Sequence, residues 1–149
     1  MINEFINLPW TKIFLLFGIF YIFIVIAAWI YADRILFPFP EPVAYREEAV
    51  DFFVKTENGF QVACISITPK DPNGLVILYS HGNGEDLGMI MDRLSEIAQK
   101  GYTVFSYDYP GYGLSTGSPS ENSCYEAVQA LFSYLVESIN VSPSRIVLW

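Results

Sequence analysis

A chain of 149 residues with 16 acidic and 8 basic side chains, a formal net charge of −8, has no cluster of Lys or Arg to meet a phosphate backbone, which argues against a nucleic-acid partner. Hydrophobic residues make up 52% of it. That is high for a soluble domain, and the excess sits in one block near the start. The length allows one domain, and less than that once a segment is given to a membrane.

From Ile13 to Ala32 no residue is charged. As a helix this run would be roughly 30 Å long, the thickness of bilayer hydrocarbon. Trp10 before it, and Trp29 and Tyr31 at its end, supply the interfacial rings of a spanning helix, while Lys12, Asp33 and Arg34 mark the water boundaries. A cleaved leader would carry a shorter apolar core and a small-x-small site, which Ile30 and Ala32 fit poorly. The expectation is a single-pass membrane anchor over about 13–32 within an N-terminal segment 1–33. Its orientation is open, because Lys12 competes with Arg34 and Arg46 in the positive-inside count.

Pro38, Pro40 and Pro42 then alternate in PFPEP, which removes backbone donors and predicts an extended linker over 34–48. A domain is expected over 49–149. Two β-rich runs, Val50 to Thr56 and Phe60 to Ile67, flank Glu57-Asn58-Gly59, where the Asn-Gly step predicts a hairpin turn built on positive φ angles. After the turn cluster TPKDPNG, the unbroken apolar run Leu75 to Tyr79 predicts a strand buried on both faces. Leu87, Ile90, Leu94, Ile97 and Ala98 then recur at helical spacing, with Gly101 as a stop signal. Tyr102 to Tyr107 is the next strand. Cys124, Val128, Leu131, Leu135 and Ile139 trace a second helix, and Ile146 to Trp149 one more buried strand. Strands alternating with helices through short links predict an α/β fold with a mostly parallel, doubly wound sheet. A parallel strand needs neighbours, so the last one predicts a truncated chain, a gene fragment or a premature stop. Cys64 and Cys124 form no CxxC and lie near no histidine in sequence, so they read as small apolar residues; no metal or organic cofactor is expected.

Two loops carry candidate chemistry. Ser80-His81-Gly82-Asn83-Gly84 falls where one strand ends and a helix begins, and Asp108-Tyr109-Pro110-Gly111-Tyr112-Gly113-Leu114-Ser115-Thr116-Gly117 follows the next strand. YSHGNGEDLG followed by FSYDYPGYGLSTGSPSE, with RILFPFP after the anchor, resembles the membrane-anchored abhydrolase-domain (serine aminopeptidase-like) branch of the α/β-hydrolases, from Arg34 to Trp149. The resemblance implies the first half of such a domain. It also implies an oxyanion hole fed by the main-chain amide of Asn83, with Gly84 beside it, and site-shaping roles for His81, Gly82, Asp108, Gly111, Gly113 and Ser115. Asp108 would order its loop rather than serve as the triad acid, and His81 would be structural.

Gly113-Leu114-Ser115-Thr116-Gly117 fits the G-x-S-x-G pattern of a nucleophile elbow, but no strand directly precedes it and no helix directly follows. Ser118-Pro119-Ser120 intervenes, and Ser120 is placed to cap the next helix. A His81, Asp108, Ser115 set is the alternative, since triads occur in several chain orders. By the resemblance, RIVLW leads into the true elbow, with its serine about three residues past Trp149; nucleophile, acid and base are then all expected beyond Trp149. The implied activity is hydrolysis of ester, thioester or amide bonds through an acyl-serine. The bilayer is the expected partner, with an acyl or lipidated substrate. Two rivals stand beside it: a non-catalytic tethered fragment, and a dinucleotide-binding domain. The second fails on spacing, since the third glycine of G-x-G-x-x-G would fall at Leu87.

Overall fold

The computed structural model describes residues 9–38 and 43–149, and the chain divides into two compact units, Met1–Leu36 and Phe37–Trp149. The first is helix α1, Pro9–Leu36, none of whose residues is buried. Its 28 residues make it about 42 Å long at the usual rise. It is the one helix among the described residues long and apolar enough to cross a membrane. Lys12 lies in its first turn and Arg34 in its last, so the helix outruns the apolar block at both ends. The expected linker is altered accordingly: residues 34–36 close α1, Glu47–Ala49 form a 3-10 turn, and Pro40 and Pro42 lie outside the described residues.

In the second unit β1 (Phe52–Lys55) and β2 (Gln61–Ile67) form the expected hairpin, with Phe52 opposite Cys64 and Lys55 opposite Gln61. The turn differs from expectation. Only Gly59 has a positive φ, +87°. Its N–H donates to Thr56 O at 2.9 Å, and Thr56 N–H donates to Phe60 O at 3.0 Å. The loop is the expected three residues, Glu57-Asn58-Gly59, closed by a left-handed glycine, with Asn58 not sharing the positive φ.

The sheet runs β1-β2-β4-β3-β5, where β3 is Val76–Ser80, β4 is Thr103–Tyr107 and β5 is Ile146–Leu148. β3 is parallel to both β4 and β5, while β2 is antiparallel to both β1 and β4. The sheet is therefore mixed rather than mostly parallel. A short turn permits only an antiparallel neighbour, and parallel pairing begins where a crossover helix becomes available.

Helices cover both faces. α2 (Leu87–Gln99) buries Leu87, Ile90, Leu94 and Ala98 against Ala63, Ile65, Ile77, Tyr79 and Val104. α3 (Glu121–Ser133) buries Ala127 and Leu131, followed by Leu135, against Val62, Cys64, Leu78, Phe105 and Tyr107. Successive residues of one strand, such as Leu78 and Tyr79, thus enter opposite cores, which explains why β3 carries no polar alternation. Each fully buried leucine contributes about 1.5–3 kcal/mol. Past Ser133 the helix widens into a π turn, Tyr134–Ser138, in which Ile139 N–H reaches Tyr134 O at 3.2 Å, and Asn140 at φ +56° ends it.

Two caps set the helix starts. Ser120 forms a capping box with Ser123, as its place in the sequence suggested. Asp86, wholly buried, accepts from Met89 N–H at 3.0 Å through Oδ1 and from Ala44 N–H at 2.7 Å through Oδ2. The same carboxyl thus caps α2 and pins the strap of residues 43–46 across its first turn. At Gly88 a Cβ would lie 2.8 Å from the Ala44 carbonyl carbon, so only glycine admits the strap. Asp86→Ala should therefore lower stability by about 1–3 kcal/mol and speed tryptic cleavage after Arg46. Unchanged cleavage kinetics in a folded variant would contradict the pinning.

Candidate active site

β3 and β4 end side by side, with Ser80 opposite Tyr107, so the two candidate loops leave the same carboxyl edge of the sheet. In an open α/β sheet this is the edge where ligands bind. The first loop turns tightly: Glu85 N–H donates to Gly82 O at 3.1 Å, and Gly84 has φ +81°. Gly82 N–H donates to Glu85 Oε2 at 2.8 Å. A Cβ on Gly82 would come within 2.9 Å of that oxygen, so glycine here makes room for a side chain of the chain itself. Arg93 holds Glu85 from the other side at 3.1 Å and also donates to the Tyr79 hydroxyl at 3.0 Å. The guanidinium first, then the Gly82 amide, keeps the Glu85 carboxyl below its usual range.

Asp108 joins the loops to the strap. It is fully buried, with Oδ1 accepting from Leu87 N–H at 2.9 Å and Oδ2 from the Tyr45 hydroxyl. That hydroxyl in turn accepts from Leu114 N–H at 3.1 Å. Burial, then the facing carboxyl, drives the Tyr45 phenol far above its ordinary value, so it stays protonated as a donor. At Gly113, φ +49°, a Cβ would collide with the Asp108 carboxyl.

His81 is enclosed by aromatic rings, Tyr109 at 4.4 Å and Tyr112 at 5.7 Å between centroids. Its Nδ1 lies 3.0 Å from Gly82 O and its Nε2 3.4 Å from Asp108 Oδ1. Three tyrosines from the end of β4 and the second loop grip the first: the Tyr107 hydroxyl lies 3.0 Å from Ser80 Oγ, Tyr109 donates to His81 O at 2.8 Å, and Tyr112 donates to Asn83 Oδ1 at 3.0 Å. Burial lifts all three phenols, Tyr109 to about 12. All three remain neutral at physiological pH.

Ser115 is a structural bridge. Its hydroxyl accepts from Ala63 N–H at 2.9 Å and donates to Asp108 O at 2.9 Å, while Thr116 N–H bonds Gln61 O at 2.8 Å. Leu114-Ser115-Thr116 thus extends the ladder of β2 where β4 has ended. The His81, Asp108, Ser115 alternative fails on this geometry, because the serine hydroxyl is spent on main chain rather than directed at the imidazole. Gly111, φ +82°, follows Pro110 in a turn closed by Tyr112 N–H to Tyr109 O at 2.8 Å. The sequence-derived set of His81, Gly82, Asn83, Gly84, Asp108, Gly111 and Gly113 is gathered at one edge, with Ser115 set back against β2.

Tyr45, Glu85, Asp86, Tyr107, Tyr109 and Tyr112 were missing from that set. A buried tyrosine must find a partner for its hydroxyl, and the cluster YDYPGY was the available sign. Cys64 is buried and Cys124 partly so, both free. Among the described residues no three His, Cys, Asp or Glu side chains are grouped for a metal ion.

A parallel β-α-β core with both loops at one strand edge is the fold class of the α/β-hydrolases. An α/β-hydrolase from Vibrio vulnificus superposes with a TM-score of 0.55 at 25% identity, over 64% of this chain and 32% of that one. An esterase of Pyrococcus furiosus does so at 0.57 and 15% identity, over 70% and 42%, and shows the fold alone. No protein-family model matches. In sequence, the alpha/beta hydrolase domain-containing protein aho-3 of Caenorhabditis elegans is 38% identical over 96 residues, 64% of this chain and 29% of that protein. The human alpha/beta hydrolase domain-containing protein 17C is 33% identical over 99 residues, 66% and 30%. These relatives and the Vibrio vulnificus neighbour are alpha/beta hydrolases, and the chain spans about a third of the length of the curated relatives it matches.

Two outcomes follow from the site's hydrogen bonds. Ser115→Ala leaves Ala63 N–H without its buried acceptor and should cost about 1–3 kcal/mol in urea unfolding; a neutral result would contradict the bridge. Glu85 titrates lower in the folded chain than in the unfolded one. Its contribution is present above the unfolded pKa, near 4.3, and disappears as pH falls through the lower folded value. Glu85→Gln should flatten the acid limb of a stability–pH curve below that point, measured by thermal melts.

Proposed function

We propose that this chain forms the oxyanion side of a membrane-anchored serine hydrolase acting on ester, thioester or amide bonds of acyl or lipidated substrates. The observation that carries the reading is the place of SHGNG between the ends of β4 and β5. Trp149 N–H donates to Leu78 O at 3.0 Å and Ser80 N–H to Trp149 O at 2.7 Å, so β5 delivers the chain directly beside the Asn83 turn. A serine presented there, just past β5, would face the Asn83 amide across one reacting carbonyl. In acyl transfer that amide would hold the oxygen of the tetrahedral intermediate, a contribution of about 3–4 kcal/mol per donor in comparable sites.

Neither nucleophile nor base comes from residues 1–149 in this reading. The Ser115 hydroxyl is engaged by main chain and His81 is packed between tyrosines, which supports the view that this stretch alone is inactive. The two thirds of the relatives' length outside the match would supply serine, acid and base. No cofactor is called for. The apolar helix α1 supports anchoring, and a site tethered to a bilayer meets acyl chains at high local concentration. A dinucleotide is disfavoured further, since the Leu87 and Met89 amides at the start of α2 are taken by Asp108 and Asp86.

A protein of the relatives' full length should react with a fluorophosphonate probe at a serine outside residues 1–149, while the 149-residue chain should not react at all. Labelling at Ser115 would overturn the assignment. In alkaline carbonate extraction the chain should stay with the membranes and deletion of residues 9–36 should release it. Release of the intact chain would refute the anchor.

A further inference from the structure

Glu85 meets both main-chain groups of Gly82. Its N–H donates to Gly82 O at 3.1 Å, and its Oε2 accepts from Gly82 N–H at 2.8 Å. This reach back over three residues is the one a capping box uses, where Glu and Gln serve alike. The peptide units on either side of Gly82 are thereby held. In the first, His81 O also accepts from the Tyr109 hydroxyl at 2.8 Å; in the second, Gly82 O lies 3.0 Å from His81 Nδ1 as well. Because a peptide unit is planar, holding Gly82 O sets the line of the amide that follows it. Arg93 fixes the carboxylate in turn. Its two terminal nitrogens meet Oε1 and Oε2 at 3.1 and 3.2 Å, and one of them reaches the hydroxyl of Tyr79 in β3 at 3.0 Å. The Arg93 side chain is 48% exposed, and an ion pair this open adds little to stability. Its fork orients the carboxylate instead. Gly82 completes the fit, because a Cβ there would lie 2.9 Å from Glu85 Oε2.

We propose that Glu85, oriented by Arg93, is a positioning residue for the oxyanion loop: it clasps Gly82 by both main-chain groups and so sets the course of the chain through residues 82 and 83. This rests on the reading of the loop as an oxyanion hole. Main-chain donors serve acyl transfer best when they need no reorientation as charge develops, and a turn gripped at its second residue meets that need.

The chain, labelled with 15N-glycine and held in detergent micelles, reports the clasp through its Gly82 amide. In Glu85→Ala the Gly82 resonance should move upfield and its hydrogen exchange should quicken about tenfold or more, while Gly101 and Gly117 stay in place. Glu85→Gln keeps an acceptor where Oε2 stands and should keep the Gly82 resonance near its wild-type position. Glu96→Gln, at an exposed position of α2, is the control for a lost charge and should leave Gly82 unmoved. An unmoved Gly82 in Glu85→Ala, or an equal shift of every glycine, would overturn the proposal. If Glu85→Ala does not fold, the wild-type chain decides: a Gly82 amide exchanging as fast as an unstructured glycine overturns the clasp, and protection of about a hundredfold upholds it. In a protein of the relatives' full length, Glu85→Ala should lower kcat about tenfold with little change in KM, and Glu85→Gln should restore it to within about threefold. A Gly82 released in the chain with kcat unchanged in the longer protein would overturn the oxyanion reading, and the positioning role with it, leaving the clasp as a fold contact.

Discussion

The carboxyl group of Asp108, buried at the end of β4, is the contact on which the site depends. A carboxyl removed from water is costly unless its oxygens find donors, and here the donors come from two segments far apart in sequence. Leu87 N–H opens α2 and the Tyr45 hydroxyl belongs to the strap, while the imidazole of His81 stands 3.4 Å away without a hydrogen bond to the carboxyl. Both carboxyls at this edge, Asp86 and Asp108, are answered by amides at the start of α2 rather than by Lys or Arg. The electropositive end of a helix therefore takes the place of a buried ion pair.

Much of what surrounds this contact follows from accommodating it. Gly113 leaves space for the carboxyl, Gly88 leaves space for the strap, and Ser115 returns the loop to β2 by replacing a strand partner. The three tyrosines then fasten the first loop to the second at Ser80, His81 and Asn83. A turn that would otherwise be an exposed Gly-rich connection is held on both flanks.

Local pattern revealed the parts of the fold that depend on local rules. The unbroken apolar run ending at Tyr79, the helical spacing of Leu87, Ile90 and Leu94, and the cap at Ser120 each involve neighbours within a few positions. The two site loops could be located because glycines cluster where strands end. What sequence could not supply was pairing at a distance. The antiparallel contact of β2 with β4 joins residues about forty apart, and Tyr45 reaches Asp108 from a stretch that reads only as linker. Ser115 shows the converse error that pattern invites, since G-x-S-x-G is satisfied in letters while its hydroxyl serves the backbone. The turn at Glu57-Asn58-Gly59 was placed correctly, but only Gly59 takes the positive φ, because a three-residue hairpin loop needs one left-handed residue and not two.

If Asp108 is the common anchor of strap and loops, its interaction with Tyr45 must be an energetic coupling and not only a short distance. A double-mutant cycle in urea unfolding, with Asp108→Ala, Tyr45→Phe and the pair, measures that coupling directly. A coupling of about 1.5 kcal/mol or more is expected for two groups that share a buried hydrogen bond. Additivity within about 0.5 kcal/mol would contradict the account, since strap and loops would then be held independently.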